Sequence, residues 1–281
     1  MIDFKNKKFK GSNERWSVFD CTIKPSNKAV VIFVHGYKGF KDWGAWGLMS
    51  ESFVNQEIGV VKFNMSHNGG TTENPIDFDD LDAFGQNRYS WELNDLKIII
   101  EETYRLIHDE MNLDIPIVLL GHSRGGGVCI LEGANNEKVD GIISLAGISD
   151  IASRFPEGDE LNEWKVEGIK TVWNGRTEQE MPHYFSFYED FIENKDRLDI
   201  ENACRTLNKP FVQIHGDMDM SVSVSEGLAI ANWTETEVKI IKGTEHTFGS
   251  NHPWKSDQLP EELNEVVDFT VDWINTQIVQ S

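Results

Sequence analysis

Short runs of uninterrupted apolar residues recur along the chain, separated by longer stretches in which apolar positions return with helical spacing. Ala29-Val30-Val31-Ile32-Phe33-Val34 is apolar throughout, the pattern of a strand buried on both faces rather than one with a wet side. Residues 59–64, 115–120, 139–146, 211–215 and 238–241 read as further strands. Helical spacing links Leu93, Leu96, Ile99, Ile100, Thr103 and Ile107 within residues 89–109. It also links Leu263, Val266, Val267, Val271 and Ile274 within residues 260–278. Other helices are expected over 46–56, from 128 onward and over 223–233. A β-hairpin is expected over 9–23, turning at Gly11-Ser12-Asn13. Strands and helices that alternate in this way predict a mostly parallel sheet covered on both faces.

The alternation breaks once. Residues 148–207 show no convincing strand but carry Trp164, Trp173, Tyr184, Phe185, Phe187, Tyr188 and Phe191, with Pro156 and Pro182 as breakers. Roughly sixty residues are too many for a simple crossover between neighbouring strands. The expectation is a helical cap, residues 148–207, inserted into a core made of residues 1–147 and 208–281. The competing reading is two ordinary packing helices whose aromatics are core.

Composition narrows the class. The chain has 281 residues, enough for one large α/β domain. Its net charge of −21 would repel phosphate backbones and anionic lipid, so nucleic-acid and membrane partners are not expected. No apolar run approaches the roughly twenty residues that span a bilayer. Cys21, Cys129 and Cys204 are odd in number, far apart and without a C-x-x-C pair. They fit reduced thiols in a cytoplasm better than a disulfide framework. The basic residues near the N-terminus have no apolar run after them, so no secretory signal is visible, although a mature exported form would look the same.

The densest chemistry lies at Gly121-His122-Ser123-Arg124-Gly125-Gly126, between the 115–120 strand and the helix that follows. Strand, sharp turn and helix are the context of a nucleophile elbow, with small residues two positions either side of the serine. A serine needs a base, and the base needs an orienting acid, in the chain order Ser, Asp or Glu, His. The loop after the 211–215 strand offers Asp217 and Asp219, and position alone does not choose between them. The loop after the 238–241 strand offers His246 as the leading base, with His252 as competitor; His215, at a strand end, reads as structural. Oxyanion donors are expected from the backbone N–H groups of Arg124 and Tyr37, the latter in His35-Gly36-Tyr37-Lys38-Gly39. His35, His67 and Trp43 are candidate pocket residues. His67-Asn68-Gly69-Gly70 could equally be a plain turn, and Trp43 could equally pack under its loop. No metal-ligand spacing, dinucleotide fingerprint or Walker loop is present, so neither metal nor cofactor is expected.

These segments together resemble the α/β-hydrolase superfamily, and within it the bacterial serine esterases that act on cinnamoyl and feruloyl esters, and dienelactone-hydrolase-like proteins. The matching pieces are His35-Gly36-Tyr37, Gly121 to Gly126, His215-Gly216-Asp217-Met218-Asp219 and Gly243-Thr244-Glu245-His246-Thr247-Phe248. The resemblance implies Ser123 as nucleophile, Asp219 as acid, His246 as base, and Tyr37 and Arg124 as oxyanion donors; Asp217 is an extra acid beside the matching position. It implies cleavage of a small to medium carboxylic ester without a cofactor. The alternatives are an aminopeptidase-like or acyl-peptide hydrolase, with Glu157, Asp159, Glu160 and Glu163 available for an α-ammonium group, or an inactive hydrolase fold used for binding.

Overall fold

A computed structural model of the chain describes residues 1–280. The chain opens with β1 (Ile2–Lys10), β2 (Trp16–Ile23) and β3 (Ala29–Val34), followed by α1 (Trp46–Asn55) and β4 (Ile58–Phe63). Then come α2 (Leu81–Gln86), α3 (Tyr89–Arg105), β5 (Ile117–His122), α4 (Arg124–Gly133) and β6 (Gly141–Leu145). Next in sequence are α5 (Gly158–Glu167), β7 (Ile169–Asn174), β8 (Gln179–Tyr184), α6 (Ser186–Glu193) and α7 (Ile200–Arg205). The chain closes with β9 (Phe211–Gly216), α8 (Val224–Trp233), β10 (Val238–Ile241) and α9 (Glu261–Ile274).

Eight strands form one sheet in the order β1-β2-β4-β3-β5-β6-β9-β10. The β1–β2 and β2–β4 pairs are antiparallel and the remaining pairs are parallel. All six residues of β3 are buried because both faces are covered. Val30, Ile32 and Val34 point into a core shared with Leu93, Leu96 and Ile99 of α3 and Val128 of α4. Ala29, Val31 and Phe33 point into the opposite core, with Trp46, Met49 and Phe53 of α1 and Leu263, Val266 and Val267 of α9. The two-residue alternation of one strand thus divides its side chains between two helical layers. No helix among the described residues is long and apolar enough to cross a membrane.

Parts of the fold depart from the sequence reading. The first hairpin begins earlier than residue 9, at Ile2. A register shift between Phe4 and Lys7, with Asn6 at φ 53°, interrupts the alternation that would have revealed the strand. Residues 148–207 do contain strands, which corrects the all-helical reading. β7 and β8 pair antiparallel as a separate two-stranded sheet, with Trp173 opposite Glu180. Ile169 and Trp173 of β7 are exposed, so its apolar residues do not trace a buried face. Pro182 sits within β8, where a two-stranded ribbon leaves each strand an edge that tolerates the missing N–H. The segment between β6 and β9 packs onto the sheet's helical layer through Phe187, whose ring stacks on Tyr89 of α3 at 5.1 Å.

Candidate active site

Parallel strands deliver their C-terminal loops to one edge of the sheet, the usual ligand edge of an open α/β fold. The loops after β3, β5, β9 and β10 carry Tyr37, Ser123, Asp219 and His246 respectively. Ser123 stands between β5 and α4 at φ 58°, ψ −120°, a conformation that costs on the order of 1–3 kcal/mol and needs support from its surroundings. Support comes from its N–H donating to Leu145 O at 2.8 Å and its carbonyl accepting from Gly126 N at 2.9 Å. The turn closes only because two neighbours lack side chains. A Cβ at Gly121 would lie 2.2 Å from Gly125 O, and one at Gly125 would lie 2.3 Å from Val34 O. As the first residue of α4, Arg124 has a backbone N–H with no intrahelical acceptor, and the helix dipole faces the same point.

His246 Nδ1–H donates to Asp219 Oδ2 at 2.7 Å. That bond fixes the tautomer and leaves Nε2 free to accept a proton. Asp219 Oδ1 accepts from the N–H groups of Ser221 and Val222 at 2.8 and 2.9 Å, and His215 Nε2 lies 3.4 Å from Oδ2. Burial alone would raise this carboxyl group, but the hydrogen bonds from His215 and His246 outweigh it and hold Asp219 well below the usual carboxylate range. Asp217 points elsewhere, accepting from Gly243 N at 2.6 Å and tying the β9 loop to the β10 loop. His252 accepts the Gly44 N–H on Nδ1 at 2.9 Å and stacks on Trp43, so it is engaged in holding a loop.

Ser123 and His246 both line two cavities. The larger, about 410 Å³, is walled by Tyr37, Ile148, Phe155, Trp164, Val172 and Phe187, with Tyr89 and Arg124 also on its surface. The smaller, about 260 Å³, is bounded by Gly36, Tyr37, Trp43, His122, Asn174 and Arg176. Trp43 therefore faces a cavity. His35 and His67 line neither of them, which corrects the pocket reading for both. His35 is buried under its loop: Nδ1–H donates to Gly36 O at 2.9 Å and Nε2 accepts from Met65 N at 3.1 Å. Burial lowers it to about 4, so it braces the loop as a neutral ring. His67 packs on Trp91 at 4.4 Å and bonds Ser66, and burial lowers it to about 4 as well.

Several contributors escaped the sequence. His122 Nε2–H donates to the His246 carbonyl at 2.9 Å, and its ring sits 4.7 Å from the His246 ring. Burial, with His246 adding to it, lowers His122 to about 3. His183 of β8 lies 2.7 Å from the Tyr37 hydroxyl and is lowered to about 3, chiefly by burial. The Arg124 side chain folds back over Tyr37 and Tyr89 at 4.4 and 4.9 Å and donates to Glu92 at 3.2 Å. Only the position of His122 beside the serine was a signal available beforehand.

No family model matches this sequence, and no curated protein matches it. Solved structures do. The chain is similar to Est1E from Butyrivibrio proteoclasticus with ferulic acid bound, at 16% identity and a TM-score of 0.71, over 98% of this chain and 99% of that one. It is similar to the dienelactone hydrolase from Anabaena variabilis at 15% identity and a TM-score of 0.63, over 98% and 97%. It is also similar to the α/β hydrolase GrgF from a Penicillium species at 13% identity and a TM-score of 0.69, over 99% of each. At these identities the likeness shows the fold.

Proposed function

We propose that this chain, an α/β-hydrolase by fold, is a serine hydrolase that cleaves small to medium carboxylic esters through an acyl-enzyme on Ser123. The observation that carries the reading is the 2.7 Å bond from His246 to the buried carboxylate of Asp219, at a cavity whose surface includes a strained serine. His246 Nε2 takes the hydroxyl proton as Ser123 Oγ attacks the ester carbonyl. The Tyr37 and Arg124 N–H groups stabilise the oxyanion. The tetrahedral intermediate collapses, His246 returns the proton to the departing alcohol oxygen, and the acyl group remains on Ser123. Water activated by His246 then releases the acid and regenerates the serine. Asp219 holds the imidazole and stabilises the imidazolium in both halves.

Further support comes from the cavity wall. Its aromatic and aliphatic side chains suit an apolar acyl or aryl group, and the segment between β6 and β9 supplies Phe155, Trp164, Val172 and Phe187 as a cap over Ser123. No carboxylate side chain lines either cavity among the described residues. An aminopeptidase needs such a group for the substrate's α-ammonium, and Glu157, Asp159, Glu160 and Glu163 are all exposed instead. A cytoplasmic location fits the three buried free thiols. The test is a panel of acyl esters against aminoacyl amides: ester turnover that disappears in Ser123→Ala supports the reading, and amide turnover without ester turnover refutes it.

A further inference from the structure

The turn that carries Tyr37 is tied to the segment between β6 and β9 by two consecutive side chains. Gly39 N–H closes the turn on Gly36 O at 3.1 Å. Tyr37 and Lys38 occupy its middle, and Lys38 stands at φ 55°, a left-handed conformation that favours glycine. The Tyr37 hydroxyl lies 2.7 Å from His183 Nε2 on β8. Lys38 Nζ donates to Trp173 O on β7 at 3.1 Å. The two side chains end on different strands of one ribbon, in which His183 pairs with Lys170 and Trp173 with Glu180.

The His183 end of this link is itself held. Its carbonyl accepts the Trp164 Nε1–H at 2.9 Å. Its ring packs on Phe84 of α2 and stacks on Phe187 of α6, at 5.3 and 5.6 Å. β8 sits against α2: a Cβ on Gly85 would lie 3.2 Å from both Pro182 and Tyr184, and the Tyr184 hydroxyl donates to Asp82 at 2.6 Å. Burial lowers His183 to about 3, so its ring meets the phenol as a neutral partner. Packing at position 37 would be served by a phenylalanine ring. The hydroxyl adds one directed bond, and it sits on the residue whose N–H is the proposed oxyanion donor. Such a donor helps only when it is held in place before charge develops. A tight turn with a left-handed lysine at its centre gains that rigidity from contacts outside itself.

We infer that the β7–β8 ribbon braces this turn, and that His183 is a positioning residue acting through the Tyr37 hydroxyl on the Tyr37 N–H. The segment over Ser123 then serves transition-state stabilisation as well as substrate fit, and a ribbon that moves off the turn loosens the oxyanion donor in the same movement. The inference rests on the proposed esterase reading for its kinetic consequence, but not for the brace itself.

The experiment on the full chain has an exchange arm, independent of activity, and a kinetic arm. Tyr37→Phe deletes the phenol oxygen and keeps the ring; His183→Phe deletes the ring nitrogens and keeps an aromatic ring. Amide deuterium exchange read by mass spectrometry should speed up about tenfold in the peptide that carries Gly39 in either variant, with β5 unchanged. His183→Gln, whose amide can still reach the phenol, should recover part of the protection. Should His183→Phe speed exchange over β5 as well, Tyr37→Phe and His183→Gln carry the test. Unchanged exchange at Gly39 in Tyr37→Phe overturns the brace whether or not the protein hydrolyses esters. Each single variant should lower kcat for 4-nitrophenyl acetate about tenfold with KM within about twofold, and the double variant should lose no more, because the two changes break one bond. Unchanged kcat despite faster exchange, losses that multiply in the double variant, or a loss carried by KM overturns the positioning role. No ester turnover above Ser123→Ala in the unaltered chain, with exchange raised in both variants, refutes the esterase reading and leaves the brace standing.

Discussion

His122 and His246 are joined by a hydrogen bond from the His122 ring to the His246 backbone carbonyl at 2.9 Å. The residue before Ser123 thus holds the loop that carries His246, the proposed base. Because burial keeps His122 neutral down to about pH 3, the bond persists wherever the fold does. His122→Asn should lower kcat about tenfold or more with little change in KM, since the bond runs to the backbone of the proposed base and positions it. Steady-state kinetics on a variant with unchanged circular dichroism checks this; an equal loss in both parameters would place His122 in substrate binding.

The two aspartates after β9 should separate cleanly. Asp219→Asn removes the group that fixes the His246 tautomer and should cost on the order of 10⁴ in kcat near neutral pH, by analogy with the serine-protease case. Asp217→Ala loses only the bond to Gly243 and should cost about 1 kcal/mol of stability with activity largely retained. Denaturant titration and ester kinetics on both variants decide it, and the reverse pattern would overturn the assignment.

Which of this was legible in the sequence depends on how local each signal is. Gly121, Ser123 and Gly125 declare the elbow because the turn's geometry depends on residue types two positions away. β3 and β5 declare themselves because burial on both faces leaves an unbroken apolar run. β7 and β8 were hidden because a small exposed ribbon needs no such run and tolerates Pro182. α2 was hidden because it is six residues long and is started by one cap, the Asp80 carboxylate accepting the Ala83 N–H. His35 and His67 sit in the loops after β3 and β4, but whether a loop side chain turns toward the cavity or under its own backbone is decided by contacts remote in sequence. Met65 and Trp91 are those contacts.

Stability should fall as the medium is acidified from about pH 6.5 toward pH 4. His35, His67, His122 and His183 are held neutral chiefly by burial, with folded values of about 4, 4, 3 and 3 against 6.5 for the free side chain. Between those limits the unfolded chain binds protons that the fold refuses, so each histidine's contribution is complete above 6.5 and is lost as pH falls toward its folded value. Each should add up to about 1.4 kcal/mol of slope per pH unit. Asp219, held low in the fold, adds its own loss only below the ordinary carboxylate value of 3.8. Urea midpoints from pH 7 to pH 4 check the sum, and His183→Asn should flatten the profile. A midpoint independent of pH across that range would contradict the buried neutral state.

The aromatic wall should set substrate choice. Phe187 stacks on Tyr89 and lines the larger cavity, so Phe187→Ala should reduce kcat/KM for aryl or long-chain acyl esters about tenfold more than for acetyl esters. The same change should destabilise the fold by about 3–5 kcal/mol, as truncation of a buried phenylalanine does. The selectivity ratio across an ester series is the readout, and an unchanged ratio would make Phe187 a packing residue only.

Ser123 is the proposed nucleophile, and a fluorophosphonate adduct located by peptide mass spectrometry identifies the reactive residue. One phosphonyl group per chain is expected, on Ser123, with ester hydrolysis lost in proportion to labelling and no adduct in Ser123→Ala. An adduct on another residue, or ester turnover that survives complete labelling of Ser123, would contradict it.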